Sequence, residues 1–389
     1  MSVFLKSLGE LFKKGNQLNL PYYSTPFEQI SEMSILERCK LYNFTFEAGC
    51  VIVLLLLVFV FSFGKNTNVN TANKIYGYLN SYLKTEFSTV AFYRKGENTP
   101  YVEENSNTFF TSFATGRAYI ESVTIRTQLL AKFNPLAIFV ERLLRYYFAY
   151  LFTDATVENI EIVIKPNNVP LNASAKKLEE PLPSKYSFIS AIVSKSCMNK
   201  SRVNNYYLGL TQVVESPNLP IEYIFMSESN QLNSIFKKLG SGNDLNTLLK
   251  KSSSLLNYIA FTDLPSEKPL TDTEWEKNLE PRCVISTKAT TDPKDLKLIT
   301  ELIDFVFTIY EHLSETDMSV VLSGDISKKV KNLRTQELNK IVKTMKEVAL
   351  EMAKEKKQED LRKTNPQAEA ALLAKRERRK KHRQQRGAM

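Results

Sequence analysis

The chain has few of the residues on which metal and nucleophilic chemistry depends. Its 389 residues include two histidines, His312 within a helical pattern and His382 in a basic stretch. Two isolated histidines exclude a multi-histidine metal site and disfavour Ser/His or Cys/His catalysis. The four cysteines, at positions 39, 50, 197 and 283, show no CxxC spacing. We therefore predict neither a zinc site nor a disulfide framework.

Phosphate-binding loops are also missing. No GxxxxGK[ST] segment occurs, and Gly240–Ser241–Gly242 lacks the third glycine that a dinucleotide-binding loop requires. Acidic pairs such as Asp154 and Glu158 are typical of a helix start. We predict a protein that is not an enzyme and has no cofactor or metal. An enzyme that uses carboxylates alone is the remaining enzymatic alternative.

One long apolar run dominates what the chain does contain. Residues 48–64 carry no charge, and every position from Val51 to Phe61 is apolar. As a helix this run rises about 26 Å, and extension back to Leu41 reaches the roughly 30 Å of a hydrocarbon core. We predict a transmembrane helix over 41–64, acting as an uncleaved signal anchor because it starts late for a cleaved signal peptide. A buried core helix is the alternative.

The excess positive charge lies at the C-terminal end. The net charge is +10, residues 1–47 sum to zero, and residues 325–389 hold twenty basic and nine acidic residues. The densest part contains eight residues, here named the basic tail residues: Lys375, Arg376, Arg378, Arg379, Lys380, Lys381, Arg383 and Arg386. Such a cluster favours RNA or an anionic lipid surface, or stays solvated without a partner. Because lipid-binding clusters usually adjoin their anchor and this one does not, we predict contact with RNA.

The segment between the span and the tail predicts an α+β fold with at least four or five strands. Alternating or short β-branched segments indicate strands, and periods of three to four indicate helices. The predicted strands are 119–129, 157–164, 220–226, 257–262 and 282–288. The predicted helices are 135–152, 184–198, 229–239, 243–256 and 292–313. A region of roughly 250 residues is long enough to bury a core.

The aromatic segment 135–152 has two interpretations. Glu141, Arg142 and Arg145 interrupt it, so a second transmembrane helix is not predicted. It is either a core helix or a helix that rests against the bilayer or a membrane partner.

From about Asp325 the composition changes to charged helix formers. The apolar residues Leu338, Ile341, Met345, Val348 and Met352 follow a 3-4-3-4 spacing. A seam of two heptads is too short to establish a self-associating coiled coil, and docking onto this protein's own domain or onto another helix is an alternative of at least equal weight. Pro366 ends the predicted helix.

These features predict six consecutive segments: a short lumenal segment over 1–40, the transmembrane helix over 41–64, a polar connector over 65–75, a cytosolic mixed α/β globular domain over 76–323, a long charged helical arm over 324–364 and the basic tail over 365–389. The flanking charges do not decide orientation, since Arg38 and Lys40 balance Lys65 and Lys74. The absence of paired cysteines and the basic arm favour a cytosolic domain, in which case the sequons at Asn172 and Asn199 stay unmodified.

Several segments resemble one known family. They are FATGRAYIESVTIRTQLL at 113–130, LPSKYSFISAIVSKSCMN at 182–199, ELIDFVFTIYEHL at 301–313, and the basic end that closes with Gly387–Ala388–Met389. With the single span before them, they resemble the coiled-coil domain-containing protein 47 (calumin) family, whose members are subunits of the PAT complex. The resemblance covers roughly residues 40–389.

The resemblance implies a function for the whole chain. Family members are endoplasmic reticulum membrane proteins with a lumenal N-terminus and a cytosolic globular domain. They act with a small membrane partner, Asterix, beside the Sec translocon as an intramembrane chaperone for nascent multi-pass membrane proteins. Their charged C-terminal arm reaches the ribosome near the exit tunnel, and the basic tail residues match that arm in position and character.

Two differences from the family are visible in the sequence. Animal members carry a signal peptide and a long acidic lumenal segment credited with calcium binding, whereas residues 1–47 hold five acidic and five basic residues. Calcium buffering is therefore not expected. The competing hypothesis for function is a membrane-anchored structural tether whose basic arm binds an anionic membrane surface.

Overall fold

A computed structural model describes residues 19–94, 97–105, 107–148, 157–167, 186–217, 219–233, 236, 242–315 and 324–364. The described residues form two compact units. The first contains those within Met1–Ala72 and Leu130–Ala155, and the second contains those within Asn73–Leu129 and Thr156–Met389. Among the described residues, one helix is long and apolar enough to cross a membrane.

The helices are α1 (Leu20–Ser24), α2 (Phe27–Glu32), α3 (Ile35–Leu41), α4 (Thr45–Glu86), α5 (Pro135–Tyr147), α6 (Met198–Asn204), α7 (Tyr206–Gly209), α8 (Gly242–Lys251), α9 (Asp272–Lys277), α10 (Pro293–Glu315) and α11 (Gly324–Thr364). The strands are β1 (Thr89–Val90), β2 (Phe92–Arg94), β3 (Glu97–Thr99), β4 (Val102–Asn105), β5 (Phe109–Thr115), β6 (Ile120–Gln128), β7 (Asn159–Pro166), β8 (Ser190–Ser194), β9 (Gln212–Val214), β10 (Tyr223–Ser227), β11 (Leu256–Thr262) and β12 (Arg282–Lys288). A short 3-10 turn covers Asn230–Asn233.

Helix α4 contains the predicted span from Thr45 onward and continues far beyond it, whereas Leu41 ends α3 and residues 42–44 link the two helices, so the predicted start at residue 41 is wrong. The side chains from Val51 to Phe59 are all exposed, as a lipid-facing helix requires. Residues 65–75 are helical throughout, so the prediction of a separate polar connector is wrong. The asparagines and threonines of this stretch suggest a loop, but Ala72, Ile75 and Leu79 are buried at the spacing of a helix.

The second unit is built on a ten-stranded antiparallel sheet. The strand order is β1-β5-β6-β7-β12-β11-β8-β10-β9, with β4 also paired to β5. The register places Ile162 opposite Ile125 on one side and Ile285 on the other, so these side chains share one face of the sheet. Strands β2 and β3 form a separate two-stranded sheet.

Helices pack on both faces of this sheet. On one face, the Tyr76 hydroxyl of α4 donates to the carbonyl oxygen of Phe110. On the same face, the rings of Tyr310 in α10 and Phe261 in β11 lie 5.4 Å apart. The opposite face forms a core with α7, α9 and α11, whose buried members are Ile189, Ala191, Val193, Tyr207, Leu208, Ile224, Met226, Tyr258, Ala260, Leu264, Trp275, Val284 and Ile341.

The coverage of both faces explains where strand prediction failed. Strand β12 has the predicted bounds and β6 lies within its predicted range. The predicted helix over 184–198 is wrong because Ser190–Ser194 forms strand β8, all of it buried. A strand covered on both faces shows no alternation and resembles a buried helix in sequence. Likewise, the predicted helix 243–256 ends at Lys251, and Leu256 begins β11.

Helix α5 is not a core helix. None of its residues is buried, and it groups with the first unit, whereas the flanking strands β6 and β7 belong to the second. The predicted domain over 76–323 is therefore interrupted by the segment that contains α5.

Candidate functional site

The basic tail residues lie outside the described residues, so their prediction stays a prediction. The structure describes the helix that leads to them, α11, as far as Thr364. It also describes the base of α11 and the part of the first unit that contains the apolar run of α4.

The base of α11 meets two acidic side chains that the sheet topology brings together. Strand β8 lies between β10 and β11 and is antiparallel to both. Strands β10 and β11 therefore end at the same edge of the sheet. Glu228 follows β10 directly, and Asp263 follows β11 directly. Both carboxylates point at Arg334 of α11.

Arg334 holds both carboxylates in a nearly water-free site. Its Nε donates to Glu228 Oε1 at 3.0 Å, and its Nη2 donates to Asp263 Oδ1 at 2.7 Å. The side chains of Glu228 and Asp263 are each 3% exposed, and that of Arg334 is 15% exposed. The backbone N–H of Ile189 donates to Glu228 Oε2 at 3.0 Å, which ties the cluster to the start of β8.

The opposite charges in this cluster offset the effect of burial on each other's pKa. Burial raises the pKa of the Glu228 carboxyl, and the charge and hydrogen bonds of Arg334 oppose that rise. Burial lowers the pKa of the Arg334 guanidinium, but the hydrogen bonds and charges of Asp263 and Glu228 more than reverse this, leaving it above its ordinary value. Arg334 therefore stays charged, and its planar fork contacts both carboxylates at once.

Apolar side chains complete the base of α11. Ile326, Val330 and Ile341 are buried, and Leu338 packs against the core that contains Ile341. Leu338 and Ile341, the first two residues of the apolar seam, thus pack on this protein's own domain, which is one of the alternatives left open by the sequence. Val348 and Met352, farther along the same seam, are exposed.

Sequence reasoning missed the ion cluster. Glu228, Asp263 and Arg334 are far apart in the chain and match no motif. The usable signal was an acidic residue directly after the predicted strand 257–262 and another two residues after the predicted strand 220–226. Nothing in the spacing indicated that those strands end at the same sheet edge.

In the first unit, the segment before α5 packs closely on α4 at the end of the apolar run. The side-chain amide of Asn68, which is fully buried, donates to the carbonyl oxygen of Leu130 at 2.8 Å. The rings of Phe61 and Phe133 lie 5.6 Å apart. A Cβ added to Gly64 would lie 2.4 Å from the backbone of Lys132. Glycine is therefore required at position 64 for this approach.

Helix α5 presents an apolar face outward. Asn134 caps it through a hydrogen bond from the Ala137 N–H to the Asn134 side chain at 3.1 Å, and Pro135 occupies its first turn. Its large exposed apolar residues are Leu136, Phe139, Val140, Leu143, Tyr146 and Tyr147. These six fall within an arc of about 120° at 3.6 residues per turn. Glu141 and Arg145 form an ion pair at 2.7 Å on the opposite side of the helix.

The described residues contain no group of three or more His, Cys, Asp or Glu side chains arranged to hold a metal ion. What these residues build is an exposed apolar surface, formed by α4 and α5, and a charged helix whose base is fixed to a folded domain. An exposed apolar surface of this kind marks a site of contact with a membrane or a protein partner.

Comparison with known proteins identifies the family of this chain. The protein-family model for PAT complex subunit CCDC47 matches residues 43–389, from the start of the span to the end of the basic tail. The chain belongs to the CCDC47 family. The resemblance seen in the sequence is thereby confirmed over most of the chain.

Two fungal proteins are similar to this CCDC47 family member. The UPF0674 endoplasmic reticulum membrane protein YNR021W of Saccharomyces cerevisiae is 36% identical over 347 residues, covering 87% of this chain and 85% of the yeast protein. The UPF0674 endoplasmic reticulum membrane protein C2G5.01 of Schizosaccharomyces pombe is 29% identical over 213 residues, covering 54% and 51%. Both relatives are named as endoplasmic reticulum membrane proteins, in agreement with the apolar helix α4.

Replacement of Arg334 tests the ion cluster. Arg334→Met leaves two buried carboxylates unpaired, so the free energy of unfolding of the second unit should fall by about 3–5 kcal/mol. The measurement is denaturant unfolding of the full chain in detergent, followed by fluorescence of Trp275, the single tryptophan, which is buried in the same core as Ile341.

Two further variants control this experiment. Lys340→Met removes an exposed pair with Glu337 in the same helix, and its effect should stay within about 1 kcal/mol. Adding Glu228→Gln and Asp263→Asn to Arg334→Met should recover part of the loss, since no buried charge then stays unpaired. An Arg334→Met effect as small as that of Lys340→Met would contradict the assigned role.

Replacement of Gly64 tests the packing of the Leu130–Asn134 segment on α4. Gly64→Ala forces that backbone away at a cost of about 1–3 kcal/mol, as other overpacking substitutions do. Tryptic cleavage after Lys132 should then become roughly fivefold faster or more. The matched control is Gly77→Ala in the same helix, where an added Cβ meets nothing within 4 Å. Equal cleavage rates in the two variants would show that the close approach is not maintained.

Proposed function

We propose that this chain is a non-enzymatic subunit of an intramembrane chaperone complex in the endoplasmic reticulum, which assists insertion and folding of multi-pass membrane proteins. Its proposed partners are the ribosome, the Sec translocon, a small Asterix-like membrane protein and nascent multi-pass clients. The observation that carries the proposal is the match to the PAT complex subunit family over 43–389, a range that includes the span and the basic tail.

The geometry of α11 supports a role for the tail. The base of α11 is fixed on the sheet by Arg334 and Ile341, and the side chains from Lys346 to Ala353 are exposed. From Ile341 to Thr364 the helix rises about 35 Å at 1.5 Å per residue. The described part of α11 is thus anchored at one end and exposed from Lys346 to Ala353. Such an arm suits contact with a large particle such as a ribosome.

The chemistry of the tail favours RNA phosphates. Arginine-rich segments often fold only when they bind RNA, and their affinity depends on release of counterions from the phosphates. The eight basic tail residues would thus contribute without a preformed pocket. The exposed apolar surface of α4 would face the membrane components of the same complex.

Neutralisation of the tail tests ribosome binding. Replacing the eight basic tail residues with Gln should release the protein from ribosomes while α4 keeps it in the membrane. The measurement is co-sedimentation with ribosomes from solubilised microsomes. For contacts of this number, affinity of the unmodified chain should fall by roughly a thousandfold or more between 50 and 200 mM salt.

The matched control keeps charge and changes only side-chain type. Exchange of Arg for Lys at positions 376, 378, 379, 383 and 386 should preserve most binding, because phosphate contacts depend chiefly on charge. Unchanged co-sedimentation of the Gln variant would contradict the proposal. Binding of the unmodified chain to acidic liposomes but not to ribosomes would favour the structural tether instead.

The proposed orientation is a lumenal N-terminus and a cytosolic C-terminal domain. Protease treatment of sealed microsomes should digest a tag at the C-terminus and spare one at the N-terminus. Asn199 is exposed on α6, yet no glycan should be attached there. A protected C-terminal tag, or a shift in mass on glycosidase treatment that Asn199→Gln abolishes, would reverse the assignment.

A further inference from the structure

We propose that α5 is a second membrane-contacting element and that its outward apolar face lies in the lipid at the boundary between headgroups and acyl chains. The inference depends on α4 spanning the membrane and not on the chaperone function. It concerns the face formed by Leu136, Phe139, Val140, Leu143, Tyr146 and Tyr147, here named the α5 outer face.

The position of α5 along α4 supports a membrane-boundary location. The uncharged run of α4 ends at Gly64, and Lys65 is the first charged residue after it. The segment leading into α5 packs at this level, through contacts of Lys132 with Gly64, Phe133 with Phe61 and Leu130 with Asn68. Helix α5 begins three residues after Lys132. Its start is therefore held where the apolar part of α4 gives way to the polar part.

Helix α5 exposes its large apolar side chains, unlike a helix on the surface of a water-soluble domain. Phe139 is 64% exposed and Leu136 is 69% exposed, whereas Glu141 and Arg145 are only partly exposed, as are Ile138 and Leu144. A water-facing helix places its apolar stripe against the core and its charges outside. The described residues do not cover the α5 outer face, so its apolar area needs an external apolar phase.

Lipid fits this face better than a protein partner does. The face is the convex side of a single helix, and Phe61 and Phe63 of α4, near the level where the segment before α5 packs, are also exposed. Two tyrosines stand at its C-terminal end, a residue type enriched at membrane boundaries. Arg142 is exposed beside the apolar arc, from where a long cationic side chain reaches phosphate headgroups.

A helix held in this way has a structural consequence. A single span leaves the first unit free to rotate about the helix axis, whereas a second contact with lipid removes that freedom. The α5 outer face should then lie about 5–10 Å into the headgroup and acyl-chain boundary, as for other interfacial amphipathic helices.

Depth-dependent fluorescence quenching tests this inference on the full chain in lipid nanodiscs. An environment-sensitive dye is attached to a cysteine introduced by Phe139→Cys or Leu143→Cys. The background chain carries Cys39→Ser, Cys50→Ala and Cys197→Ser. Cys283 is retained because it is fully buried, and burial raises the pKa of its thiol well above the usual value, so it reacts poorly. Val58→Cys in the span and Lys277→Cys on α9 provide the deep and aqueous references.

The expected result is a dye at position 139 or 143 that is protected from aqueous iodide and quenched by lipids with a nitroxide near the headgroup. Lipids with a nitroxide near the chain end should quench Val58→Cys more strongly than Phe139→Cys. Iodide quenching at 139 and 143 equal to that of Lys277→Cys would overturn the inference, and would point to a protein partner for the face. The boundary placement would also be wrong if lipids with a nitroxide near the chain end quenched the dye at position 139 more strongly than lipids with a nitroxide near the headgroup.

Discussion

The continuity of α4 is the constraint on which the rest of the structure depends. Within a bilayer every backbone N–H and C=O must find its partner inside the segment, so the span is a helix. That helix does not stop at the end of the apolar run: the same hydrogen-bonded ladder continues to Glu86. Its first part is exposed along Val51–Phe59, and its last part carries fully buried Ile75, Leu79 and Leu83. One element thus serves as membrane anchor and as core helix.

A second constraint is the placement of charge within the folded domain. A buried carboxylate follows each of the strands β10 and β11. Burying these carboxylates without a cation would cost several kcal/mol. A guanidinium is suited to the position because its fork donates to Glu228 and Asp263 together. The same contact that neutralises the acids fixes the start of α11. The direction of α11 is therefore set by residues in the interior of the sheet domain.

The comparison between prediction and structure shows which signals were local. The span and the strands β6 and β12 were predicted correctly from composition and period, because the surroundings of each element leave a pattern in its own stretch of sequence. Strand β8 was predicted as a helix because helices on both sheet faces remove the alternation that identifies a strand. Residues 65–75 were predicted as a connector because composition outweighed the spacing of a few apolar residues. The basic tail residues lie beyond the described part of the chain, and their role still depends on charge and family membership.

The sequence by itself determined the anchor, the α+β class, the poverty in metal-binding and catalytic residues, and the charged C-terminal end, since these depend on residue types in short windows. Only the tertiary structure decided that Arg334 meets Glu228 and Asp263, that Gly64 receives the Lys132 backbone, and that α5 turns its apolar face outward. These facts depend on which strands end at one sheet edge and which segments share one helix surface. Contacts between residues about 70 to 106 positions apart are set by topology, and residue spacing along the chain carries no record of it.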